Sequence, residues 1–119
     1  MQLQITGEEG PIIRLALSGA LDLAGVREVE LKFLAHTASR GGPALVDLSG
    51  VTFMASLGMR MLLEASRALQ RKGAALGLLN PSALVEDALR AAGIADLVPV
   101  FHDEARALAA LLSNPEKTP

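Results

Sequence analysis

The sequence predicts an α/β domain in which a mixed, mostly parallel sheet of about five strands carries four packed helices. Two observations predict it. Short apolar, strand-like runs alternate with segments of helical period, and strands separated by helices must be joined by parallel crossovers. The first two strand-like runs are separated only by a turn, so the chain opens with an antiparallel hairpin. A chain of 119 residues, half of them hydrophobic and 20% charged, is long enough to bury one core without disulfides.

The elements follow in order. LQIT (3–6) alternates, GEEGP (7–11) breaks it, and IIRLALSG (12–19) returns with Ile13, Leu15 and Leu17 on one face. GALD (19–22) closes the hairpin. From Ala24 to Ser39 the residues turn helical, with Val26, Val29 and Phe33 as a stripe and Leu31 and Leu34 off it. RGGP (40–43) stops that helix.

ALVDLSG (44–50) reads as a buried strand, and VTFMA (51–55) either continues it or turns off it. The clearest helix runs from Leu57 to Lys72. Leu57, Met61, Leu62, Ala65, Ala68 and Leu69 gather on its apolar side, while Arg60, Glu64, Arg67 and Arg71 lie opposite. Met59, Leu63, Ser66 and Gln70 fall between, so Met59 and Leu63 are expected to be half-exposed.

After Gly73, AALGLLN (74–80) gives another strand. A helix over PSALVEDALRAAG (81–93) offers Ala83, Leu84, Ala88, Leu89 and Ala91 for packing, with Gly93 as its stop. VPVF (98–101) is a last short strand, and DEARALAALLS (103–113) is a closing helix with Asp103 and Glu104 in its first turn. Residues 1–113 form one domain, and NPEKTP (114–119) is a polar tail.

Several function classes are disfavoured. A net charge of -2, with three aromatics that are all Phe, provides no basic or stacking surface for nucleic acid. Without cysteine there is no thiolate chemistry or disulfide framework. His36 and His102 have no cysteine or paired carboxylate spaced to join them, so no metal site and no catalytic residues are expected. Neither GxxxxGK[ST] nor GxGxxG occurs, and MASLG (54–58) departs from the GxSxG nucleophile elbow. The expectation is a protein that is not an enzyme and needs no cofactor. MQLQITGEEG lacks the pattern of a signal peptide, and no apolar run approaches the roughly 20 residues that cross a bilayer. A cytoplasmic location without direct membrane insertion is expected.

Ser56 is the candidate functional residue. It follows a strand and precedes the strongest helix, which makes it a natural N-cap. The same place suits a phosphoryl acceptor: a phosphoserine brings close to two negative charges, and a helix start offers free N–H groups and a positive dipole end. Ala55 and Gly58 are small neighbours that leave the hydroxyl accessible.

GALD (19–22), VDLSGVTFMASLG (46–58) and the glycine turn of RAAGI (90–94) resemble the signature stretches of the STAS domain, the fold of bacterial anti-sigma factor antagonists. The element order matches along nearly the whole chain. That resemblance implies a protein-interaction switch which binds an anti-sigma factor, a serine kinase of the ATP-binding type, and is released when Ser56 is phosphorylated. In the antagonists the site reads Asp-Ser-Ser/Thr-Gly; Ser56 and Gly58 match it, whereas Ala55 and Leu57 replace the aspartate and the second hydroxyl residue. The resemblance implies a partner-binding face of Asp22, Ser56, Gly58, Met59 and Leu63. Asp22 is otherwise a turn or N-cap residue, and Asp47 reads better as a strand-end carboxylate bonding the next turn. STAS domains also serve as transporter tails, stressosome scaffolds and subunits of lipid-transport complexes, so a non-phosphorylated adaptor is the alternative.

Overall fold

A computed structural model describes residues 1–112. The proposed tail and Ser113 lie outside the described residues. Five strands form one sheet, β1 (Gln2–Gly7), β2 (Ile13–Leu21), β3 (Ala44–Met54), β4 (Leu76–Leu79) and β5 (Val100–Phe101). Four helices accompany them, α1 (Leu23–His36), α2 (Ser56–Arg71), α3 (Ala83–Ala91) and α4 (Glu104–Leu112), with a 3-10 turn at Ile94–Asp96. The spatial order β1-β2-β3-β4-β5 is also the chain order. β1 and β2 are antiparallel, and every later pairing is parallel.

Strand alternation divides the apolar residues between two faces. Ile13, Leu15 and Leu17 of β2, Val46 and Leu48 of β3, and Leu76 and Leu78 of β4 join the larger core. Val26, Val29 and Phe33 of α1, Met61, Leu62, Ala65 and Leu69 of α2, and Val85 and Leu89 of α3 close over that face. The opposite face carries a smaller cluster of Ile12, Leu45, Leu79, Ala107 and Leu111, and α4 covers it. An ion pair of 3.7 Å between Arg14 and Glu104 joins β2 to α4.

VTFMA resolves as a continuation of β3, which is 11 residues long. Its pairing with β2 slips twice. Ala16 faces Asp47 but Ser18 faces Gly50, and Gly19 faces Val51 but Ala20 faces Phe53. Each slip is a bulge, in which β3 spends one more residue than its partner. Asp47 therefore lies within the strand, at the first bulge, rather than at a strand end. Its Oδ1 accepts the Ser49 amide at 2.9 Å, a local turn that satisfies backbone the bulge removes from the ladder. At Gly50 a Cβ would stand 2.8 Å from Ser18 Cβ, so the second half of the DLSG stretch requires glycine for close approach of β2.

The helices differ from expectation at their edges. α1 stops at His36 rather than Ser39, where Thr37 leaves the helical region at φ -113 and ψ -83; it is buried, and its amide and hydroxyl both donate to the Phe33 carbonyl. In α3 the packed pair is Val85 and Leu89, one turn apart, while Ala83 and Ala91 are exposed and Leu84 is 67% exposed. β4 and β5 are shorter than 74–80 and 98–101, although Val98 is fully buried as a core residue before its strand.

Candidate functional site

The site forms where β2 and β3 end side by side. Leu21 pairs with Met54, the last residues of the two strands. One step further, the Ala55 amide donates to the Leu21 carbonyl at 3.0 Å. The parallel register thus brings the Asp22 turn and the start of α2 to the same edge, the carboxyl end of the sheet.

Asp22 caps α1. Its Oδ1 accepts the Gly25 amide at 2.9 Å, in a β-region conformation that suits the cap position. The structure thus gives this carboxylate a structural task, and it remains half-buried at the rim of the site.

Ser56 is not the cap of α2. That position belongs to Ala55, with φ -93 and ψ 170 and no side-chain bond. The bond from Ala55 to Leu21 extends the strand pairing by one residue, so the backbone becomes helical only at Ser56. Gly58 and Met59 donate to the Ala55 carbonyl at 3.0 and 3.1 Å and so close the first turn. Ser56 is the first helical residue; it is exposed, and its hydroxyl has no hydrogen-bond partner among the described residues.

Gly58 is where the helix touches β2. A Cβ there would stand 2.7 Å from Leu21 Cγ and 2.9 Å from the Leu21 carbonyl oxygen. Only a residue without a side chain lets α2 start this close to the strand end. Met59 and Leu63 are half-buried and pack against the larger core, as the helical wheel predicts.

Three apolar residues at this edge escaped the sequence reading. Leu57, expected on the buried side, is 38% exposed, because it lies about 100° around the helix from Gly58, the first-turn residue that meets Leu21. Phe53 is 51% and Leu23 49% exposed. A signal existed for Phe53, which precedes the buried Met54 on an alternating strand and so points away from the core.

Beyond Ser56 the outward side of α2 is strongly charged. Arg60, Leu63, Glu64, Arg67 and Arg71 lie side by side along it, around a shallow space open to solvent. No ion pair or hydrogen bond engages the three arginines or Glu64 among the described residues. The described residues also include no group of three or more His, Asp or Glu able to hold a metal, and no helix long and apolar enough to cross a membrane.

A family model described as "Mlab, STAS domain" matches residues 1–99. The chain belongs to the STAS domain family. No curated protein matches the sequence. Among solved structures, unphosphorylated SpoIIAA, an anti-sigma factor antagonist, superposes with a TM-score of 0.71 at 23% identity, over 94% of this chain and 96% of that one. SpoIIAA, a Bacillus cell fate determinant, is also known in its phosphorylated form. An anti-sigma factor antagonist from Mycobacterium paratuberculosis gives a TM-score of 0.80 at 18% identity, over 93% and 95% of the two chains. The murine anion transporter Slc26a9 matches with a TM-score of 0.75 at 22% identity, over 91% of this chain but only 19% of its own length. These likenesses establish the α/β STAS fold, with its five-stranded mixed sheet and four helices.

Proposed function

We propose that the chain is an anti-sigma factor antagonist whose hold on an anti-sigma factor kinase is released by phosphorylation of Ser56. The observation that carries this reading is the state of Ser56, an exposed and unbonded hydroxyl in the first turn of α2. A cap serine would have its oxygen engaged; this one is presented. Leu23, Phe53 and Leu57 place exposed apolar surface at the same edge, which fits a contact with another protein. A phosphate at Ser56 would sit at the positive end of the α2 dipole and would also charge that contact, a cost borne by the complex and not by the fold.

Ser56→Glu tests the reading. We expect at least tenfold weaker binding to the anti-sigma factor, with an unchanged thermal midpoint, when both are measured on purified protein. Undiminished affinity would sink it.

A second reading rests on Ala55 and Leu57, which stand where the antagonists have an aspartate and a second hydroxyl, and on a family model described by the name Mlab. Under it the same edge holds a constant partner as an adaptor subunit of a membrane-associated complex, such as a lipid transporter. Native protein without phosphate at Ser56, recovered with a membrane permease, would favour it.

A further inference from the structure

At 100° per residue Ser56, Arg60, Arg67 and Arg71 fall within about 60° of one another on the outward side of α2. Leu63 flanks the stripe on one side and Glu64 on the other. Three arginines against one glutamate give this stripe a positive balance on a chain whose net charge is -2. On α3, Arg90 meets Glu86 at 2.7 Å. Arg60, Arg67 and Arg71 have no such carboxylate among the described residues. The guanidinium groups remain available as planar forks suited to carboxylates, and half-buried Leu63 lies beside them as an apolar anchor.

We infer that this stripe receives an acidic segment of the protein partner, its carboxylates on Arg60, Arg67 and Arg71 and an apolar side chain against Leu63. Glu64 along the edge of the stripe disfavours a uniformly anionic surface such as a lipid headgroup layer and favours a segment with discrete charges that can avoid it. The inference rests on the proposed function for one point, that α2 faces the partner. In return it supplies a reason for release. Ser56 heads the stripe with Arg60 one turn on, so a phosphate of about -2 would cancel the stripe's positive balance and occupy Arg60, leaving the acidic segment unpaired.

The test uses the full chain in cells that natively produce it, with the photo-crosslinking residue p-benzoylphenylalanine at position 70, exposed beside the stripe, and at position 31 on α1 as control. We expect position 70 alone to capture a peptide rich in Asp and Glu. Arg67→Gln with Arg71→Gln should reduce that adduct at least tenfold without moving the thermal midpoint of the protein. A neutral or basic peptide, a phospholipid adduct, no adduct, or a yield indifferent to the arginines would each overturn the inference. The two proposals fail separately. An acidic peptide captured equally by Ser56→Glu and Ser56→Ala proteins would end the switch and keep the acidic partner. A non-acidic peptide lost only on Ser56→Glu would do the reverse.

Discussion

At the scale of single residues, two hydroxyl or carboxyl groups that looked alike as helix caps have separate tasks. Asp22 holds the Gly25 amide and starts α1, whereas Ser56 holds nothing. Asp22→Ala is therefore expected to cost about 1 kcal/mol. Ser56→Ala should cost under about 0.5 kcal/mol, as an exposed substitution away from such features does. Urea denaturation of the two variants checks the contrast, and equal losses would contradict the assignment of Ala55 as the cap. Gly58→Ala gains about 1 kcal/mol of helix propensity but drives a methyl into Leu21. Overpacking of 1–3 kcal/mol usually wins, so a net loss of about 1 kcal/mol and a Tm lower by about 4–8 °C are expected by calorimetry. The importance of Gly58 was legible from the motif it shares with the family. The cap was not, because a preference for serine at helix starts cannot register the hydrogen bond that keeps Ala55 extended.

At the scale of elements, α2 serves the core with one side and the outside with the other. Met61, Leu62, Ala65 and Leu69 are buried to 1% exposure or less. Leu62→Ala should cost about 2–5 kcal/mol, from lost transfer energy and the cavity left under α2. Thermal unfolding measures it, and a loss below about 1 kcal/mol would mean that α2 is not seated as described. The helical period exposed this division in advance, including the half-buried Met59 and Leu63. It misplaced Leu57 and Leu84 for a shared reason: each lies about 100° around its helix from the buried first-turn residue that follows it, Gly58 or Val85, and so at the rim of the packed side. The helical wheel set Arg60, Glu64, Arg67 and Arg71 opposite the apolar side; that the arginines go unpaired depends on distances no sequence pattern encodes.

At the scale of the whole molecule, the sheet is asymmetric in depth. β3 lies in the middle, paired along its length with β2 and through Ala44, Leu45, Val46 and Asp47 with β4, while β5 contributes two residues at one edge. Amide exchange should follow that order, slowest in the first half of β3 and several orders of magnitude faster in β5, because edge pairing opens locally while central pairing opens with the whole domain. Uniform exchange across the sheet would contradict it. The alternation of strands and helices made the fold class legible, whereas the two bulges in β3 were not, since one extra residue leaves no trace in hydrophobic spacing. A consequence follows from the identity of spatial and chain order. No strand has to thread between two others already in place, so assembly can proceed in the order of synthesis, each new strand joining an edge left open by the last. By Arg71 every residue of the candidate interaction edge has been made, while β4, α3, β5 and α4 are still to come. The residues of the proposed contact edge are thus all in place in the chain before the second half of the sheet is made.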